Sequence, residues 1–172
     1  MKTKRAFTFL LALCMAVSLL HVGVLAEEDE PTEWESLQAL LSTEETVELT
    51  QSYTATAGDD RLEIPEGRSV TLDLNGHTVD GSALSDFTLY VRGTLILMDS
   101  QGSGELIGSS EGALLVGDGG ACTMTGGTVS GVNLTESAVK VYGRDDDDEE
   151  GPCVSSFTVS GGTLKVHQIV RN

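Results

Sequence analysis

The apolar positions of this chain fall into short alternations that return at a fixed interval. Leu89-Tyr90-Val91, Leu114-Leu115-Val116 and Val139-Lys140-Val141 are successive copies 25 residues apart. Val70-Thr71-Leu72 returns as Leu95-Ile96-Leu97 at the same shift, and Leu62-Glu63-Ile64 returns as Phe87-Thr88-Leu89. Gly76-His77-Thr78-Val79-Asp80-Gly81 reappears two periods later as Gly126-Gly127-Thr128-Val129-Ser130-Gly131. The intervening copy, Ser103-Gly104-Glu105-Leu106-Ile107-Gly108, is displaced by two residues. Thr123-Met124-Thr125-Gly126-Gly127-Thr128-Val129 returns as Thr158-Val159-Ser160-Gly161-Gly162-Thr163-Leu164 at a shift of 35, one period plus ten inserted residues between Gly143 and Cys153.

Alternation of this kind marks a strand with one buried face. Gly, Asn, Asp and Ser fill the gaps, as tight corners require. Recurrence at a fixed period marks a repeat architecture. Three strands and three corners per period describe one coil of a three-sided solenoid, its coils stacked about 4.8 Å apart with parallel pairing. The predicted fold is therefore all-β: a parallel β-helix with about four coils between Leu62 and Leu164, and with Thr78, Thr128 and Thr163 in one column. A β-sandwich also has many short strands, but it does not require the same residue types to return at one shift.

An open stack of strands recruits other chains at its ends. At the N-terminal end, Trp34, Leu37, Leu40 and Leu41 share one face of a predicted helix with acids in its first turn, a cap lying across the first coil. The predicted organisation is a linker and capping helix over 27–61 and a β-helix over 62–172, with an acidic insertion at 144–152. No such cap follows the last strand. Val166-His167-Gln168-Ile169-Val170 begins a fifth coil, so the open C-terminal edge is expected to pair with another protomer, unless the chain is a shortened form of a longer protein.

Residues 1–26 lie outside the repeat and have the zones of a secretory signal. Lys2, Lys4 and Arg5 precede an apolar run from Ala6 to Leu20, and Val24-Leu25-Ala26 supplies a peptidase site. The run is shorter than the ~20 residues of a membrane span, so cleavage and export are expected. Leu13 before Cys14 argues against a lipoprotein. No second long apolar segment occurs, so no transmembrane segment is expected after cleavage.

The chain has 27 acidic and 10 basic residues and a net charge of −17. Removal of 1–26, with its three cations, leaves −20. Such a surface repels phosphate, which excludes nucleic acid and anionic membranes as partners.

Cys122-Thr123-Met124-Thr125-Gly126-Gly127-Thr128-Val129 and Phe157-Thr158-Val159-Ser160-Gly161-Gly162-Thr163-Leu164 resemble a Phe-Thr-Met-Ser-Gly-Gly-Thr-Ile-type motif. It recurs in secreted right-handed parallel β-helix proteins of gut-type bacteria, several of them called adhesin-like. Val70-Thr71-Leu72-Asp73-Leu74-Asn75-Gly76-His77-Thr78-Val79 resembles the first coil of the same proteins. The resemblance implies a right-handed sense for the coils and the pectin-lyase-like fold, which also includes polysaccharide lyases and hydrolases. Fold alone does not carry activity.

An enzyme of this kind needs paired carboxylates, or carboxylate-bound Ca²⁺ beside a basic group. Asp73, Asp80, Asp86, Asp99, Glu105 and Asp118 do not recur at one repeat position. Arg68, Arg92, Lys140 and Arg144 are the only cations between Leu62 and Asp145. His77 occupies a corner and reads as a solvated turn residue. The run Asp145, Asp146, Asp147, Asp148, Glu149 and Glu150 reads as a solvated loop. Its hard oxygen donors also make it a weak Ca²⁺ candidate, though it lacks the glycine spacing of a formed calcium loop. Cys122 reads as a small core residue. Cys122 and Cys153 sit four residues out of register, which disfavours a disulfide. Asn133-Leu134-Thr135 has the spacing of a glycosylation acceptor, relevant only to a eukaryotic secretory route.

These residues support a secreted or surface-associated, non-enzymatic β-helix that binds polysaccharide or a host or cell-surface glycan. The alternatives are a truncated or degenerate polysaccharide lyase or glycoside hydrolase, and a structural module of a larger surface protein. A face that gathers carboxylates with Arg68 or Arg92 would favour the enzyme.

Overall fold

The computed structural model describes residues 31–132, 137–143 and 153–165. The export segment 1–26, the Asn133-Leu134-Thr135 acceptor, the acidic run 145–150 and the fifth-coil segment 166–170 lie outside them.

Among the described residues one helix, α1 (Glu33–Thr43), precedes fourteen short strands. In chain order these are β1 (Thr46–Glu48), β2 (Tyr53–Thr54), β3 (Leu62–Ile64), β4 (Ser69–Asp73), β5 (Thr78–Asp80), β6 (Leu89–Val91) and β7 (Thr94–Met98). They continue as β8 (Glu105–Ile107), β9 (Leu114–Val116), β10 (Ala121–Met124), β11 (Thr128–Ser130), β12 (Val139–Val141), β13 (Ser156–Val159) and β14 (Thr163–Lys165). Sheet A runs β1-β4-β7-β10-β13, sheet B runs β2-β5-β8-β11-β14 and sheet C runs β3-β6-β9-β12. Every strand pair is parallel. The chain is a parallel β-solenoid of about four coils.

Inward side chains lie over their copies. Leu62, Leu89, Leu114 and Val139 form one column. Val47, Leu72, Leu97, Met124 and Val159 form another. Val79, Leu106, Val129 and Leu164 form the third. Except in the last coil these side chains are buried in one continuous core. No strand can bury its apolar row alone; the stack supplies the cover.

Four details differ from the expected register. Leu62 pairs with Leu89, not Phe87. The connection before β6 is two residues longer than the period demands. It tucks Leu84 into the core and leaves Phe87 in a separate cluster with Tyr90 and Leu115. The threonine column is interrupted, because Glu105 lies between Thr78 and Thr128. The stack also begins before Leu62: β1 and β2, within the predicted linker, pair with β4 and β5. Finally, Leu40 is 38% exposed, while Trp34, Leu37 and Leu41 bury the cap.

The cap forms for local reasons. The Thr32 hydroxyl accepts from the Glu35 amide, and the Glu35 carboxylate accepts from the Thr32 amide, a reciprocal capping box. Trp34 Nε1 donates to the Asp60 carbonyl at 2.7 Å. Gln38 treats the edge of β3 as a neighbouring strand would. Its Nε2 donates to the Glu63 carbonyl, and its Oε1 accepts from the Glu63 amide. The first coil therefore presents no bare edge there. No helix among the described residues is long and apolar enough to cross a membrane.

Candidate functional site

The outer face of sheet C differs from the other two. Strands β6 and β9 are buried along their whole length, on both faces. The outward residues Glu63, Tyr90, Leu115 and Lys140 lie in register. Tyr90, Leu115 and Phe87 form a small apolar cluster outside the main core. Two cations cover it: the Arg61 guanidinium lies 4.3 Å from the Tyr90 ring centre, and Lys140 Nζ lies 5.1 Å from that of Phe87. Such contacts favour placing positive charge against a ring face.

At the corner that follows, three coils converge on Arg92. Its Nη1 lies 3.3 Å from Glu63 Oε1, its Nη2 lies 3.9 Å from Glu66 Oε2, and its Nε lies 3.5 Å from Asp118 Oδ2. The Glu63 hydrogen bond, partly opposed by burial, holds the guanidinium more firmly charged than usual. Asp118 also accepts from the Tyr90 hydroxyl at 2.5 Å. The Tyr142 hydroxyl lies 2.8 Å from that of Tyr90. Tyr90 has its one proton directed at Asp118, so Tyr142 donates to Tyr90.

The backbone aims these groups. Asp118 has φ +51° and Gly119 φ +83°, and the Gly120 amide donates to the Gly117 carbonyl. This tight left-handed turn projects the Asp118 carboxylate back over β6. Gly117 leaves room for Tyr142, since a Cβ there would lie 2.5 Å from the ring.

Beside this cluster runs an open groove of about 470 Å³, lined among others by Arg68, Ser69, Arg92, Thr94, Asp118 and Cys153. Glu66 also reaches it, so two carboxylates and two guanidiniums meet there. In a strongly acidic chain this is a locally balanced, hydroxyl-bearing surface. Arg68 Nη2 donates to the Glu44 carbonyl, and among the described residues Arg68 makes no ion pair.

Burial first, and donation of its proton to Asp118 second, raise the Tyr90 phenol well above its ordinary value near 10. The folded chain thus holds this proton more tightly than the unfolded chain. Its contribution to stability is complete below pH ~10 and is lost as pH climbs above that. An ultraviolet titration of the three tyrosines is expected to show one phenolate forming only on alkaline unfolding, and Tyr90→Phe is expected to remove that late step. A Tyr90 phenolate forming near pH ~10 in the folded chain, read as the difference from Tyr90→Phe, would contradict the assignment.

The other carboxylates singled out in the sequence serve the frame. Asp73 accepts from the Asn75 and Ser100 amides. Burial opposes the charge on Asp99, but amides of Gly104, Gly76, Gly102 and Gln101 outweigh it and hold the carboxyl below its usual range. Asp80 accepts from the Ser82 amide, Asp86 pairs with Arg61, and Glu105 pairs with Lys165. His77 is a half-buried corner residue whose amide donates to the Leu74 carbonyl. No disulfide joins Cys122 and Cys153. Cys122 is a core residue between Leu95 and Phe157, and burial pushes its thiol up to about 12.

Of the residues singled out in the sequence, Arg68, Arg92 and Asp118 come together; Asp73, Asp80, Asp86, Asp99 and Glu105 do not join them. Tyr90, Tyr142 and Glu63 escaped sequence reasoning, because their partners lie one or two coils away. The Ca²⁺ candidates Asp145, Asp146, Asp147, Asp148, Glu149 and Glu150 lie outside the described residues. Among the described residues no group of three His, Cys, Asp or Glu is arranged to hold a metal. Comparison with protein-family models, curated proteins and solved structures finds no match to this chain.

Proposed function

We propose that this is a secreted or surface-associated bacterial β-helix protein, adhesin-like and non-enzymatic, that binds neutral or weakly charged polysaccharide in the groove beside Arg92. The observation that carries this reading is the charge-balanced groove on a strongly acidic chain. Guanidinium donors, carboxylate acceptors and the hydroxyls of Ser69 and Thr94 line it together. Vicinal sugar hydroxyls both donate and accept, so they match such a mixture, and hydrogen bonds to charged partners are the stronger kind. Export, as read from residues 1–26, places the protein where glycans are exposed.

The test is a glycan array probed with the chain from Glu27 onward. Binding to a defined subset is expected, and Arg68→Ala should weaken it about tenfold, the loss of one charged hydrogen bond. A chelator should leave it unchanged. Loss on chelation would transfer the ligand to a Ca²⁺ site at 145–150, and binding to no glycan would overturn the reading.

A second reading, a degenerate polysaccharide hydrolase or lyase, is favoured by the three carboxylates around Arg92. Glu63 and Asp118 are both tied to one guanidinium, so neither stands as a lone acid facing a substrate. Release of reducing ends or unsaturated sugars that disappears in Asp118→Asn would establish this reading instead.

A further inference from the structure

Asn75-Gly76 is the only asparagine–glycine step in the chain. Glycine has no side chain to shield its nitrogen, so this is the step at which an asparagine most readily loses its amide in water. The Gly76 nitrogen gives up its proton and bonds to the Asn75 carboxamide carbon. The bond from that carbon to Nδ2 breaks, the proton leaves with Nδ2 as ammonia, and a cyclic succinimide remains. Water then opens the ring at either carbonyl. One product is aspartate; the other is isoaspartate, in which the main chain runs through the former side-chain carbon.

The folded chain ties the two reacting groups to different neighbours. Asn75 and Gly76, with φ +46° and +80°, are the central residues of a tight turn closed by the His77 amide on the Leu74 carbonyl. Asn75 Nδ2 reaches to the coil before, donating to the Leu49 carbonyl at 2.9 Å and to Glu48 Oε1 at 3.1 Å. Asn75 Oδ1 accepts from the Ser100 hydroxyl of the coil after. The Gly76 amide donates to Asp99 Oδ1, also in the coil after, at 2.7 Å. Attack therefore requires the carboxamide to let go of both neighbouring coils. It also requires the Gly76 proton to leave from beside a carboxylate, where a second negative charge is disfavoured.

We propose that Asn75 is a latent modification site, guarded by the coils on either side and converted to aspartate or isoaspartate only when those coils part. The product cannot restore the contacts. Either acid takes the side-chain donor away from the Leu49 carbonyl and sets a carboxylate against Glu48. Asp73, which accepts from the amide of residue 75, adds a further like charge. Isoaspartate also lengthens the main chain at a corner with little room: a Cβ on Gly76 would already lie 3.1 Å from Gln101 Cβ and from Ser103 Oγ. A chain whose coils stay open long enough for ring closure is thus marked and hindered from restacking. The damage runs one way, and the working life of the protein depends on how often these coils open.

Peptide mass spectrometry on the chain from Glu27 onward tests this, with chromatography separating the asparagine, aspartate and isoaspartate forms of the segment around residue 75. In warm, mildly alkaline buffer, conversion in guanidinium chloride should be at least about tenfold faster than in the folded chain, where reaction waits for local opening. Asn75→Asp supplies one product without incubation, and it should melt at least about 5 °C below the parent. Wild-type chain aged in denaturant and then returned to buffer should show the same lowered transition in proportion to its converted fraction. Folded and denatured rates closer than about tenfold, no conversion in denaturant, or an Asn75→Asp variant as stable as the parent would each overturn the proposal.

Discussion

Leu97→Asp is expected to prevent stable folding at 25 °C. Leu97 is fully buried and lies in register between Leu72 and Met124. The substitution removes a methyl-rich side chain from three coils at once. It also places a carboxylate where the neighbouring column offers only Leu and Met. Burying a charge without a partner costs several kcal/mol, against a total stability of about 5–15 for an ordinary domain. A solenoid is especially exposed to such a defect because each coil is held only by its neighbours. Failure at β7 leaves short stacks on either side, and about three repeats are needed for stability. Far-ultraviolet circular dichroism should lose its β signature, and no cooperative melt should remain. Val139→Asp makes the comparison quantitative. Val139 lies in the same kind of inward column, above Leu114, but in the last coil and only half-buried. There the carboxylate can reach water, so a loss of about 1–2 kcal/mol is expected and the β signature should survive. Equal damage from the two substitutions would contradict the gradient of burial along the stack.

That gradient shows what the amino-acid order encodes plainly and what it does not. Leu89, Leu114 and Val139 stand above one another because a strict period and a fixed strand length leave them no other place. The interval from Leu62 to Leu89 is less legible. Its extra two residues could belong to any of the three corners, and alternation continues unbroken through either choice. Only packing decides, by drawing Leu84 inward and leaving Phe87 outside with Tyr90. The site depends on the same kind of information. Tyr90 and Tyr142 are 52 positions apart yet share a hydrogen bond. Arg92 gathers Glu63, Glu66 and Asp118 from both sides in sequence. No local motif joins them, because the joining is done by the superposition of corners. Once β6, β9 and β12 are aligned, residues 92, 117 and 142 follow one position beyond the paired Val91, Val116 and Val141. The small residue between the two large ones then explains itself.

Gly120→Ala is expected to cost about 3 kcal/mol or more, beyond the usual overpacking range because the obstacle is backbone. A Cβ at Gly120 would lie 2.1 Å from the Val91 carbonyl oxygen and 2.9 Å from that of Gly117. Both oxygens are already committed: Val91 accepts from the Gly117 amide, and Gly117 accepts from the Gly120 amide. Relief therefore requires the corner to lift from the coil below. That movement strains the adjacent bond from the Ala121 amide to the Gly93 carbonyl, with which β10 begins its pairing on β7. For a chain of this size the melting temperature should fall by roughly 10 °C. Gly58→Ala is the matching control, since a Cβ there meets nothing within 4 Å and the backbone is not left-handed. It should melt within about 1–2 °C of the parent, as surface changes away from special features do. The same lift displaces Asp118, which shares the turn with Gly120. The variant should therefore lose glycan binding at temperatures where it is still folded, if the groove beside Arg92 is the binding site. Retained binding together with a lowered melting point would separate the two roles of this corner, leaving the close contact between coils intact as a finding and moving the ligand elsewhere on the solenoid.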